Sequence, residues 1–356
     1  MTRRELFTAG AAGLALSLSA RRAIAQAAAP MPAPILPVQS RSLVSLIKGE
    51  DRRKNVFEAL MAIDQDIAAA LKTKKYVIIK PNNVSTVNQL AATHADAIRG
   101  ELDYLERRFK GQVIIAESSA GTTMEGFESF RYTRLPGEYK SLDVRLIDLN
   151  EEGKWQVLPV LDADLHLQPV RLAARLLDPD AFILCSAMLK THNVTVATLS
   201  VKNMTLGAPL HQPPGEKKHW NDKRAYHGGV RQTHYDMMLT AQKMKPFWGA
   251  TVIDGYEGMQ GNGPSSGTPV PSRVAIASRD YIAADRVGIE AMGINAGWPG
   301  YLLYCWQIGL GQYDLNQIDI EGEKLAAVQR KYQLHADIER ELQWLGPMLD
   351  VPAKLG

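Results

Sequence analysis

AFILCSAML, from Ala181 to Leu189, carries Ser186 as its sole polar residue. A run this short and this apolar has the length of a strand, and its lack of alternation means that both faces are covered. The same signature recurs in KYVIIKPN (Lys75–Asn82), QVIIAES (Gln112–Ser118), VRLIDLN (Val144–Asn150) and WGATVIDG (Trp248–Gly255). LVSLIKG (Leu43–Gly49) and SRVAIAS (Ser272–Ser278) complete the set. Helical patterns lie between them, over Asn55–Leu71 and Ala95–Arg108. Strands of this kind alternating with helices predict an α/β fold, a mostly parallel sheet with helices on both faces. WQVLPVLDADLHLQPVRL (Trp155–Leu172) alternates instead and predicts a small antiparallel hairpin or flap. A charged helix is expected from about Glu323 to Leu345, packed on the outside.

Several of these strands end in polar or glycine-rich residues: Lys80-Pro81-Asn82, Glu117-Ser118-Ser119, Lys190-Thr191-His192 and Asp254-Gly255. Ligands of open parallel sheets bind beyond the carboxyl ends of the strands, so these segments are expected to share one rim. Lys80, Lys190, His192 and Asp254 form the candidate acid–base set there. Asn82, Glu117 and Ser118 are candidate ligand contacts. Asp254 reads as a base, a metal ligand or a turn-initiating residue.

LKTHNVTVATLSVKNMTLG (Leu189–Gly207) adds Lys202 and Asn203. A lysine at a strand end holds an anionic group as a compact point charge. Lys202 sits among Val196, Leu199, Val201, Met204 and Leu206, which suits a substrate-facing side chain. The alternative is a lysine that snorkels from an amphipathic helix into water. If Thr195–Leu206 is helical, Lys202 lies about 15 Å along from His192, and the two meet a ligand only from its two ends.

DGYEGMQGNGPSSGTP (Asp254–Pro269) follows a strand directly, and its glycines, Gly261 and Gly263 among them, suit either an anion-binding nest or a long turn. It matches neither the phosphate-binding loop nor the dinucleotide fingerprint. His211, His219, His227 and His234 follow at spacings that fit no common zinc motif. HQPPGEKKHWNDKRAYHGG around them reads as a polar, mobile lid, and His234, which opens an amphipathic stretch, is the one expected to be held in place.

Residues 1–27 have the layout of a cleaved export signal, with Arg3 and Arg4, a short apolar run from Leu14 to Ala20 and small residues near Ala25. The arginine pair followed by Leu6 and Phe7 resembles a twin-arginine signal. Residues 28–40 are a Pro-rich linker, 41–325 the α/β domain and 326–356 a C-terminal helical extension. Beyond the signal no stretch approaches the ~20 apolar residues of a spanning helix, so no stable membrane anchor is expected after cleavage. The formal charge of +3 comes with no basic stripe, so no nucleic-acid partner is expected. Two cysteines, Cys185 and Cys305, make no disulfide framework and no Cys-x-x-Cys.

With these residues in view, the chain resembles domain of unknown function family 362. The resemblance rests on IKPN (Ile79–Asn82), LKTHNVTVATLSVKN (Leu189–Asn203), His234 ahead of a helix, IDGYEGMQGNGPSSGTP (Ile253–Pro269) and ASRDYIAADRVGIEAMG (Ala277–Gly293). IGLGQYDLNQIDIEG (Ile308–Gly322) continues it. Some members of that family carry paired cysteine motifs of ferredoxin type; this chain has none, so no iron–sulfur cluster is expected. There is a more distant similarity to the lactate racemases that use a nickel-pincer nucleotide, in which a histidine lies ten residues before the cofactor-bearing lysine and another follows it. His192, Lys202 and His219 approximate that arrangement, although GGRKxxxPG is absent. The resemblances make His192, His219 and His234 candidate metal ligands and Asn82, Glu117, Ser118, Lys202, Asn203, Gly261 and Gly263 candidate cofactor contacts.

Two readings of function follow. The first is a periplasmic enzyme, exported by the twin-arginine translocation machinery, acting on a small anionic ligand. A metal or nickel-pincer-like cofactor and isomerase, racemase or oxidoreductase chemistry are its candidate attributes. The second is a periplasmic protein that binds a metal or an anion without turnover.

Overall fold

The computed structural model describes residues 33–38, 41–211 and 221–346. The export signal at 1–27, most of the linker, His219 and the last ten residues lie outside the described residues. Among the described residues no helix is long and apolar enough to cross a membrane.

The strands, in chain order, are β1 (Ser42–Lys48), β2 (Tyr76–Lys80), β3 (Gln112–Glu117), β4 (Asp143–Asp148), β5 (Trp155–Leu161), β6 (Leu167–Ala173), β7 (Ala181–His192), β8 (Val196–Thr198), β9 (Trp248–Gln260), β10 (Thr268–Val270), β11 (Val274–Ser278) and β12 (Ile318–Gly322). The main helices are α1 (Arg52–Ala62), α2 (Asp64–Leu71), α3 (Ala95–Arg108), α4 (Thr123–Ser129), α5 (Ser200–Thr205), α6 (Val230–Met244), α7 (Tyr281–Ala291) and α8 (Gly300–Gln307).

One sheet of ten strands has the order β12-β1-β11-β9-β7-β2-β3-β4, with β8 paired to β7 and β10 to β9. From β9 to β4 every pairing is parallel. β11 runs against both β9 and β1, so SRVAIAS is an antiparallel member of the sheet. β5 and β6 form the separate antiparallel hairpin expected from their alternation.

The pleat assigns the side chains to two layers. Ile78, Ile183, Cys185 and Ile253 point into the core beneath α5, α6 and α7. Val77, Ile79, Phe182, Leu184, Ala250 and Val252 point into the core beneath α1 and α3. Successive residues alternate between these layers, which is the period-two rule of a strand acting on a sheet buried on both faces.

Three expected helices differ. Asn55–Leu71 is two helices, α1 and α2, broken at Ile63 (φ −110°, ψ 21°). Thr195–Leu206 is a strand and then a helix. The chain reverses at Val196, which takes a left-handed φ of 69°, and β8 folds back against the end of β7 before α5 begins. Glu323–Leu345 holds only short turns at Leu325–Val328, Ile338–Glu341 and Leu342–Leu345. Between them the chain bonds through its backbone to its neighbours, Tyr332 N to Met292 O and Gly261 N to Gln333 O.

Candidate functional site

The sheet ends unevenly, and that shapes the site. β2 stops at Lys80, opposite Cys185, while β7 continues to His192 and β9 to Gln260. The two longer strands, with β8 and β10, project past the rim as an arm beside the ends of β2 and β3.

At the rim, Lys80 Nζ donates to Glu117 Oε2 (2.8 Å), Asn203 Oδ1 (2.9 Å) and the Pro81 carbonyl (3.0 Å). Asn82 Nδ2 donates to the same Asn203 oxygen at 3.0 Å. Glu117 accepts in addition from the amides of Asn83 and Ser118. β2, β3 and α5 are thus tied by one buried network. Beside it are buried polar atoms that have no hydrogen-bond partner among the described residues: Asn82 Oδ1, both side-chain amide atoms of Asn83, and Ser119 Oγ. Buried polar atoms are nearly always paired, by protein or by ordered water, so this concentration at one strand-end rim marks the candidate site.

Lys190, fully buried on the arm, donates to the carbonyls of Ala91 (3.0 Å) and Pro264 (3.2 Å). Burial, then the charges of Lys202 and Lys80, push its pKa well below the ordinary lysine value, against a smaller opposing pull from Glu117. Lys202 is 6% exposed, and among the described residues it has no hydrogen bond and no ion pair. Burial and the Lys80 charge lower its pKa to about 8, with Glu117 opposing. Its helix is held from below by the buried Asp285, which accepts from the amides of Ser200 and Val201 and from the Ser200 hydroxyl.

A fourth lysine arrives from a segment read from sequence only as a lid. Asp222 is buried and accepts from the Arg171 amide and guanidinium, which anchors the turn Asp222–His227. Lys223 Nζ then reaches Ser118 Oγ (2.9 Å) and the carbonyls of Leu206, Gly207 and Pro209. Burial lowers its pKa to about 7, with the Glu117 charge opposing and Lys80 and Lys202 adding to the fall. Lys80, Lys190, Lys202 and Lys223 therefore share one electrostatic neighbourhood in which Glu117 is the principal opposing charge.

The histidines divide by which ring nitrogen is taken. His192 Nδ1 accepts from the amides of Val194 (3.2 Å) and Thr195 (3.3 Å), so the proton of the neutral ring belongs on Nε2. Burial and then Lys202 push its pKa well below the usual histidine value. In that tautomer Nε2 is a donor and has no lone pair to offer a metal. His227 is the reverse: its Nδ1 donates to the Lys223 carbonyl at 2.8 Å, which leaves the Nε2 lone pair free. Its side chain is exposed at the surface; crowding by the surrounding protein, then the Lys202 and Lys223 charges, lower its pKa, and the Lys223 carbonyl opposes them.

Other expected contributors lie elsewhere. Asp254 is on the opposite pleat from Lys80. It lies 3.1 Å from Arg52 Nε and accepts from the Tyr256 amide, with its pKa raised by burial against the pull of Arg52, so it does not join the lysines. His234 takes the Tyr301 amide on Nδ1 and packs against Tyr301 and Trp344. Burial alone lowers its pKa to about 3, and none of the lysines acts on it. His192 and His234 are not gathered as metal ligands. Among the described residues, the grouping of metal-ligating side chains is Asp162, Asp164 and His166, on the exposed β5–β6 turn.

The glycine-rich loop presents carbonyls rather than a nest of N–H groups. Thr191 Oγ1 donates to Gly261 O and Lys190 to Pro264 O, while the amides of Gly261 and Gly263 are taken by Gln333 O and Gly261 O. A Cβ at Gly263 would stand 2.0 Å from the Thr191 carbonyl, so glycine is there for close approach to β7. The loop holds cations and hydroxyls through its carbonyls, and the amides of Gly261 and Gly263 are both engaged by backbone carbonyls. Cys185 and Cys305 are both free and buried.

The model of the family described as Domain of unknown function (DUF362) matches residues 77–290, a span that contains β2, β3, β7, α5 and Lys223. No curated protein matches the chain. Among solved structures, a crystal structure of a Thermotoga maritima protein is similar at 13% identity and a TM-score of 0.39, over 58% of this chain and 51% of that one. The chain thus spans about half the length of the solved protein that it matches.

Proposed function

The chain belongs to the DUF362 family, and from that premise we propose that it is an exported enzyme that takes a small anionic substrate into the lysine cluster at the strand ends. The observation that carries this reading is Lys202, a buried lysine with no partner of its own, placed among three other lysines whose partners are mostly backbone carbonyls. Like charges gathered out of water are costly, and a bound anion relieves that cost. The unpartnered atoms of Asn82, Asn83 and Ser119 beside them supply neutral polar contacts to the same ligand. In this reading Lys202 contacts the anion, Lys190 and Lys223 set the field, His192 donates from Nε2, and His227 Nε2 takes up a proton.

The test is thermal unfolding of the mature protein with inorganic phosphate, acetate and a neutral polyol at equal ionic strength, for wild type and Lys202→Met. Stabilisation by the anions that the Met variant loses supports the site. Equal behaviour of the two proteins would overturn it. Export by the twin-arginine route rests on Arg3 and Arg4. Replacing both by lysine is expected to leave the protein in the cytoplasm, and normal export of that variant would refute the route.

A nickel-pincer-like cofactor asks for histidine nitrogens with free lone pairs around Lys202. His192 Nδ1 is occupied by two amides and His234 is packed among aromatics, so neither fits that task. No step of the reaction is assigned to such a group.

A further inference from the structure

We infer that Lys202 is an imine-forming amine, with His227 as its proton carrier, so that the substrates of the site are small anions bearing an aldehyde or ketone. This rests on the anion-binding reading above and adds a reaction to it. Three geometric facts point the same way. The Lys202 side chain makes no hydrogen bond or ion pair among the described residues, and the residue keeps 6% of its surface exposed. The helix beneath it is fixed by Asp285 through two amides and a hydroxyl, so the amine is held in one place. His227, with Nδ1 committed to the Lys223 carbonyl, presents a lone pair on Nε2, and Lys223 itself bonds to the Leu206 and Gly207 carbonyls at the end of the helix that carries Lys202.

The neighbouring cations supply the activation. An ammonium cannot attack a carbonyl; a lysine crowded by Lys80, and buried, surrenders its proton near neutral pH, as its pKa of about 8 expresses. The same cations attract the anionic group of the substrate and so bring its carbonyl to the amine.

In the step itself, the Lys202 nitrogen pair forms the C–N bond as the carbonyl π pair moves to oxygen. One proton passes from nitrogen to His227 Nε2 and on to the alkoxide oxygen, giving a neutral carbinolamine. His227 then takes a second proton from solvent and delivers it to the hydroxyl, the C–O bond breaks, and water leaves a protonated imine. Amine, carbonyl and one solvent proton give protonated imine and water, with no change of oxidation state. His192, with its proton on Nε2, donates to the carbonyl oxygen as charge develops there.

The test uses the mature protein with glyoxylate and cyanoborohydride, which reduces an imine to a stable secondary amine, followed by peptide mass spectrometry. Lys202 is expected to be labelled at least about tenfold faster than the exposed Lys154, as an activated amine should be. The rate should rise between pH 6 and 8, and His227→Gln should slow it several-fold. Lys202→Arg should remove the adduct and leave the labelling of Lys154 unchanged. Labelling of Lys202 no faster than Lys154, or unaffected by His227→Gln, would overturn the proposal. Phosphate stabilisation that is lost in Lys202→Met, without any adduct in wild type, keeps the anion site and removes the imine chemistry. Absence of both removes the two together.

Discussion

Lys80 and Glu117 meet at 2.8 Å, Nζ to Oε2, with their side chains 1% and 3% exposed. The pair joins the ends of two adjacent parallel strands, and Asn203 of α5 joins it from above. A buried ion pair is rarely a net source of stability, because desolvating two charges offsets their attraction. Its role here is to fix the positions of β2, β3 and α5 relative to one another at the rim.

Breaking that pair from one side leaves an unpaired charge. Glu117→Ala also strips the acceptor from the amides of Asn83 and Ser118. The expected loss is about 3–5 kcal/mol in urea unfolding. Glu117→Ala combined with Lys80→Met should cost less than the sum of the two single changes, since the second removes the orphaned charge. Strict additivity in the double-mutant cycle would show that the two groups are not coupled.

Lys202 gives a different signature. Its pKa falls from 10.5 unfolded to about 8 folded, so the folded state gives up the proton first. Between pH 8 and 10.5 the unfolded chain therefore binds more protons, and stability rises with pH across that window. Below about pH 8 the full penalty is present, up to about 3 kcal/mol at this shift. Lys202→Met removes the penalty. The variant should be more stable than wild type at pH 7, and the difference should shrink toward pH 10.5. A stability gap that is flat across that range would mean that the lysine is solvated in the native state.

Gly207 tests how tightly the site is built. A Cβ there would lie 2.2 Å from Lys80 Nζ and 2.3 Å from the Asn203 carbonyl. The first contact can swing away, but the second is backbone and cannot. Gly207→Ala is expected to cost about 1–3 kcal/mol, the range for overpacking. It should also weaken the phosphate response, because Lys223 bonds to the carbonyls on both sides of this turn. A variant with unchanged stability and phosphate response would show that the loop is slack.

Strand identity was legible because a continuous apolar run of strand length has few other uses. Ala181–Leu189 and Tyr76–Lys80 declare themselves, and the rim rule then brings Lys80, Asn82, Glu117, Ser118 and Lys190 to one region, while Asn203 enters from the Leu189–Gly207 stretch beside Lys202. Parity was the weak point. Asp254 ends the apolar run on β9 much as Lys80 does on β2, but their register places them on opposite pleats, beneath different helices. Which side chain faces which layer depends on pairing across the sheet, and a single strand does not record it. The strand-and-turn course of Val196–Thr198 shortens the expected path from His192 to Lys202, since β8 folds back before α5 starts. Lys223 and His227 were hidden for another reason. Their segment has no periodicity, and its place is set by Asp222 meeting Arg171, a contact between residues 51 apart.

Glu101 lies on the other layer, toward Asp254, and titrates in the opposite sense from Lys202. It is fully buried on α3, and among the described residues neither carboxyl oxygen meets a donor at good hydrogen-bond geometry, Ser186 being the nearby hydroxyl. Burial raises its pKa from 4.5 to about 8; the Asp254 charge adds to the rise, and the nearby Ser186 hydroxyl offsets part of it. The folded state therefore keeps this proton at pH values where the unfolded chain has lost it. Between about pH 4.5 and 8 the native state binds more protons, and stability falls as pH rises. The size of the fall is on the order of 5 kcal/mol at most for this one group. Glu101→Gln keeps the shape and removes the titration. The variant should match wild type near pH 5 and exceed it progressively toward pH 8 in urea unfolding. Parallel pH–stability curves for the two proteins would mean that Glu101 is ionised in the native state, with Arg52 or solvent reaching it.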